Sequence, residues 1–359
     1  TTAASLTFGA NNGDITFWSD SDASAAGRIA FANTNTISTG GGDLTIAGGA
    51  DDGSSQVAAG RTAADGYPDG WAAGNGSTSN CTAAAGTLQG VFLSNTTTIT
   101  TSNGDVFIAG KGMTGATGNC ASGVISNQDL WITSGTGKIA IYGSANAAAS
   151  STYSSGVNFY GNTSRKTIIT SSSSAADSIV ISGNAGPTAS IRSSGVFFHG
   201  QTAGANVNNI VANTGTGGIS ITGRSVPTTA EGLADNVGDG LEMYGLGVLA
   251  KSGAITLTGT TGAGNATNRY GCSFDHSTAA SLTPSQSSFG ARAATTVNSV
   301  DMSSSTSDIT LNCDSLINGN TTQAKQFLTT GKVAIQPADS AQSFDRDIDI
   351  NGITFGSGV

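Results

Sequence analysis

The sequence predicts an all-β chain, specifically a parallel β-helix (solenoid) with three short strands per coil and roughly nine to eleven coils. Three observations lead there. An aliphatic pair flanking one residue recurs along the whole chain, usually after Gly or Asp. In most repeats a Gly followed by an apolar residue opens the unit, and a short β-branched run lies between the two. The composition removes the usual helix formers: Gly makes up 52 of 359 residues, charged residues only 10%, and Glu231 and Glu242 are the sole glutamates. With 37% hydrophobic residues the chain still has enough apolar mass to bury a core.

In chain order the recurring pair reads GDITF from Gly13, GDLTIAG from Gly42, GDVFIAG from Gly104 and GKIAIYG from Gly137. It continues as DSIVISG from Asp177, GGISITG from Gly217, GAITLTG from Gly253, SDITLNC from Ser307 and GKVAIQP from Gly331. Each is a period-two strand, so Ile219 and Ile221 share one side and Ser220 takes the other. The opening strands are GVFL at Gly90, GVIS at Gly123, GVNF at Gly156, GVFF at Gly195, GLEM at Gly240 and GCSF at Gly271; the middle runs centre on Ile99, Ile132, Ile168 and Ile210. A three-strand unit cannot bury its apolar side alone, whereas stacked units put Ile on Ile down a continuous interior. Glycine at the corners lets the backbone turn, and parallel strands about 4.8 Å apart give a rod about 45 to 50 Å long. A β-sandwich is the rival; the fixed order of the three elements, without two-residue turns between paired runs, disfavours it.

The chain reads as one continuous β-helix over 1–359, with an inserted loop at 50–89 and further insertions at 224–239 and 277–296. SLTFG at Ser5 and INGITFG at Ile350 are in repeat phase, and Thr1 is not an initiator Met, so the expectation is a fragment or stacking unit of a longer solenoid. Most of the variable segments fall at the corner between the third strand and the next first strand, where solenoid insertions often form binding surfaces; tolerated surface loops are the plain reading. The 50–89 insertion carries GYPDGW, which makes Tyr67 and Trp71 binding candidates.

A net charge of −9 without a Lys/Arg cluster argues against nucleic-acid binding. No apolar run approaches the roughly 18 to 20 residues of a membrane span. Cys81 and Cys120 lie 39 residues apart and Cys272 and Cys313 lie 41 apart, each close to one coil, so those two pairings are expected, and with them an oxidising compartment. Four buried thiols would be the alternative.

The acids do not gather. Asp51 and Asp52 sit in a Gly-rich turn, and Asp345, Asp347 and Asp349 alternate with Ile348 and Ile350, which are expected to face inward. Outward positions of the opening strand give a more suggestive stripe: Asn158 and Tyr160, Phe197 and His199, Glu242 and Tyr244, Ser273 and Asp275 would stack on consecutive coils. Tyr and His faces beside amides and acids suit sugar or protein contacts, and a ladder packed under a loop explains them equally well. His199 and His276 have no triad or metal spacing around them, so no metal, cofactor or catalytic residue is expected. The outward row Thr16, Thr45, Phe107, Ala140, Val180, Ser220, Thr256, Thr310 and Ala334 is too mixed for an ice-binding array.

With the recurrent GV...I.T..GDI.I.G unit in view, nearly the whole chain resembles the repeat region of filamentous-haemagglutinin-like exoproteins, large bacterial surface adhesins often secreted by the two-partner route. The resemblance implies a right-handed parallel β-helix at the cell surface or outside it, forming a stalk or filament for adhesion, aggregation or matrix. Its partners would be further coils, either end-to-end copies or flanking repeats, together with a surface carbohydrate or protein receptor and an outer-membrane transporter. The Asn-Pro-Asn signatures of that family's secretion domain are absent. The alternative function is a polysaccharide-active lyase, hydrolase or tailspike-like depolymerase on the same scaffold.

Overall fold

The computed structural model describes residues 6–9, 11–22, 24, 27–53, 63–76, 88–116, 120–145, 154–160, 165–185, 193–200, 207–225, 238–261, 269–276, 286–293, 300–339, 344 and 348–356. Among these residues the chain is all β and forms a parallel β-helix with three sheets, one on each face of the coil. Face 1 has eight strands, from Ile29–Phe31 to Leu316–Asn318. Face 2 has ten, from Leu6–Gly9 to Ile353–Phe355. Face 3 runs from Ile15–Ser19 to Val333–Gln336, with the short strand Ala72–Ala73 beside Val106–Lys111.

The register is the one the repeats require. On face 3, Leu44, Val106, Ile139, Ile179, Ile219, Ile255 and Ile309 align in one inward column, and all are buried. Face 1 aligns Val91, Val124, Val157, Val196, Leu241 and Cys272. Face 2 aligns Ile99, Ile132, Ile169, Val211, Val248, Phe289 and Phe327. These columns merge into one core along the rod. Stacking like on like keeps each side chain in the same environment on every coil, so one solution to the packing problem serves the whole length.

The turn from face 2 to face 3 explains the recurring Gly-Asp pair. Asp43 N–H donates to Asp14 Oδ1, Asp105 N–H to Asp43 Oδ1 and Lys138 N–H to Asp105 Oδ1, each at 2.8 Å. A carboxylate here takes up a corner N–H of the next coil, a charge-assisted bond. The same bond joins Lys332 N–H to Asp308 and, between faces 1 and 2, Lys166 N–H to Asp129. Lysine ends each of these runs because its side chain has no acceptor for the coil beyond. Gly104 lies against the Gly42 carbonyl, where a Cβ would collide, so glycine is required for the coils to close to strand spacing.

Cys272 and Cys313, both fully buried, form the expected disulfide, with Cα atoms 5.6 Å apart across 41 residues. Cys120 is also disulfide-bonded, while Cys81, its expected partner, lies outside the described residues.

Several sequence expectations need correction. Within 277–296, Ser287–Gly290 is a face 2 strand; its single large apolar residue, Phe289, hid it. Arg224 and Ser225 extend the strand Gly218–Ser225, and Ala72–Ala73 pairs with face 3, so 224–239 and 50–89 are not loop throughout. Ile348 bridges to Leu316, but Ile350 is 47% exposed, because the chain turns at Asn351 and Gly352, the latter at φ 72°, before the strand Ile353–Phe355. Asp345 and Asp347 lie outside the described residues.

Candidate functional site

The outward row of face 1 keeps its expected register, yet it is sealed. Asn158, Phe197, His199, Glu242, Tyr244, Ser273 and Asp275 are all buried. Tyr160 aligns with His199, and its side chain lies outside the described residues. The solvent-facing stripe is therefore corrected: an outward position in the register is not an exposed one where the outer side of the sheet is itself packed. Ser194, Asp239, Tyr270 and His276, from the turns leading into and out of face 1, belong to that packing. Tyr270 and His276 meet edge to face at 4.7 Å.

The ionisable groups of this layer are paired or neutralised. Ser194 Oγ donates to Glu242 Oε2 at 2.5 Å. Burial, reinforced by the Asp239 charge, pushes the Glu242 carboxyl up to about 8. Asp239 accepts Tyr270 N–H at 2.7 Å and contacts His276 Nδ1 at 3.2 Å. Burial pulls the His276 imidazole down, but Asp239 outweighs it and the net shift is upward. Burial takes His199 down to about 3, so its ring is neutral; it stacks on Phe197 with centroids 5.2 Å apart. Asp275, at φ 45° and so out of the strand's alternation, meets Lys325 Nζ in a 2.6 Å ion pair near the corner between faces 1 and 2; Lys325 shares the inward side of its strand with Phe327, and both charged side chains are fully buried. Sequence reading missed Lys325, although it stands in KQFL where the equivalent positions are Ser287 and Ile353. Asp239, Glu242 and His276 can hold a proton among them, but Glu242 offers no open path to a substrate.

The insertion candidates behave differently. The segment 63–73 folds back over the outer side of face 3, where Gly70 N–H donates to the Gly48 carbonyl. Asp51, expected in a solvated turn, organises this segment by accepting the N–H groups of Asp65 and Gly66. Trp71 packs against the buried cluster of Ala47, Phe107 and Ala109. The Tyr67 hydroxyl donates to Asp14 Oδ2. That bond and the Asp43 N–H lower the Asp14 carboxyl, and the same bond raises the Tyr67 phenol.

Between this segment and the turn from face 2 to face 3 lies a groove of about 250 Å³, lined by Tyr67, Asp43, Thr45, Asp105, Phe107 and Lys138 among others. Asp43, Asp105 and Lys138 are exposed along one wall. Tyr67 was a sequence candidate; Asp43 and Asp105 were visible only as turn residues, and Thr45 and Phe107 only as members of a mixed outward row. Among the described residues no group of three or more His, Cys, Asp or Glu could hold a metal ion, and no helix is long and apolar enough to cross a membrane. No protein-family model, curated protein or solved structure matches this chain.

Proposed function

We propose that this chain is a structural and adhesive β-helix of the cell exterior, a length of stalk or filament of the kind formed by the filamentous-haemagglutinin-like exoproteins it resembles. One observation carries this reading: the apolar interior reaches both ends of the rod in the same phase. Phe8 and Phe355 occupy the same column of face 2, at opposite ends. Ile15, Phe17, Val333 and Ile335 are only partly buried, and Trp18 and Phe355 are 39% and 40% exposed. A further coil, from flanking repeats or another copy, extends the sheets by main-chain hydrogen bonds and covers that surface. The buried Cys272–Cys313 disulfide suits an extracellular location, and passage through an outer-membrane transporter belongs to the same reading. The enzyme alternative draws on Glu242, a carboxyl raised beside a second acid as in glycoside-cleaving sites; its burial favours a structural role. Filament imaging of the purified protein paired with a polysaccharide-cleavage screen tests the choice. Rods or fibres that adhere without turnover are expected, and turnover abolished by Glu242→Gln in a folded variant overturns the reading in favour of the enzyme.

A further inference from the structure

We infer that the groove on face 3 is a saccharide subsite selective for amino-sugar units, with the glycan lying along the rod; this gives the adhesive reading above a ligand class and rests on it. The starting point is Thr45. It lines the groove and is only 3% exposed. A hydroxyl that lines a groove both donates and accepts, and so can bond a ligand hydroxyl there.

The surroundings narrow the ligand. Phe107 continues the Thr45 row on the next coil, and Tyr67 closes the opposite side, so apolar ring surface stands beside hydrogen-bonding groups, the mixture that suits the two kinds of surface on a sugar ring. Asp43 and Asp105 form the outer wall on successive coils, with Asp14 and Asp65 contributing to the same negative field at Tyr67. Lys138 is the cation of that wall. The field therefore favours an ammonium-bearing sugar and disfavours a uronate. The carboxylates repeat at the strand spacing of about 4.8 Å along the rod axis. A β-linked glycan advances by a similar distance per sugar, so successive amino groups can meet successive coils.

The proposed variants preserve the fold. Asparagine at 43 or 105 keeps an oxygen for the N–H of the coil above, and Thr45→Val keeps the shape while removing the hydroxyl. Titration calorimetry with a glucosamine hexamer, its fully N-acetylated counterpart and oligogalacturonate is the test, with spermidine as a cation without a sugar. The expected result is binding of the glucosamine hexamer ahead of the other three, weakened about tenfold or more by Thr45→Val and by the Asp43→Asn/Asp105→Asn double variant. Asp177→Asn, an exposed acid elsewhere, should leave binding unchanged. Equal binding of spermidine with no effect of Thr45→Val reduces the site to general charge attraction and overturns the proposal, as does the absence of hexamer binding. Either failure leaves filament formation and adhesion intact if only the groove is misread; loss of those as well means that the adhesive reading itself has failed.

Discussion

Faces 1 and 3 are both outer surfaces of one rod, built from strands of the same period, and they are opposites. On face 1 the outward row holds Asn158, His199 and Glu242 in a packed layer; on face 3 it holds Ser220, Thr256 and Thr310 in partial contact with solvent. The interior columns are alike, so the difference arises outside the helix, in the turns. Segments leading into and out of face 1 bring Ser194, Asp239 and His276 against it, and once water is excluded each charge needs a partner or must be neutralised. Over the later coils of face 3, small neutral side chains need neither.

The largest effect is expected from unpairing the buried charge at the corner where the sealed face 1 meets face 2. Lys325→Met leaves the buried Asp275 carboxylate without its cation and should cost about 3 to 5 kcal/mol. Lys325→Met combined with Asp275→Asn should recover part of that in denaturant melts, and no recovery would show that packing rather than charge dominates. Next comes the interior common to both faces: Ile221→Ala should cost about 2 to 5 kcal/mol. Its outward neighbour Ser220→Ala should stay within about 0.5 kcal/mol. Equal losses at 220 and 221 would invert the assigned strand faces.

Stability against pH sharpens the comparison further. Glu242 is raised to about 8, so it binds its proton more tightly in the folded state; its contribution is complete below the ordinary carboxyl value and is lost as pH rises towards about 8. His199 runs the other way: lowered to about 3, its contribution is complete above 6.5 and is lost as pH falls towards about 3. Asp239 and His276 face Glu242 and modulate the alkaline limb. Melting curves should therefore lose their alkaline slope in Glu242→Gln and part of their acid slope in His199→Gln, and unchanged slopes in both would contradict the sealed layer. Ser220→Thr, an open-face change, should leave both limbs as they are.

What could be read in the sequence follows the same division. The inward columns, the phase of the coils and the Cys272–Cys313 pair were legible because each depends on local period or on repeat spacing. Ser287–Gly290 was not, since a strand with one large apolar residue gives no periodic signal and its identity comes from the neighbours it pairs with. The fate of Glu242 and Asp275 was hidden for another reason. Alternation tells which side of a sheet a residue takes, but what packs on Glu242 is decided by Ser194 and Asp239, 48 and 3 residues away, and Asp275 leaves the alternation at φ 45° to meet Lys325, 50 residues away. In the groove, Tyr67 was legible as an aromatic in an insertion, while Thr45 acquires its role only when residues 63–73 fold over it.

The most direct measurement compares thiol access on the two outward rows. Asn158→Cys on face 1 and Ser220→Cys on face 3 place one new thiol in each, in a chain whose described native cysteines are disulfide-bonded. With a maleimide reagent under native conditions, the account predicts rapid labelling at 220 and protection at 158 by about a hundredfold or more, released on unfolding. Labelling at 158 as fast as at 220 in the folded protein would contradict it, and would restore face 1 as an open surface.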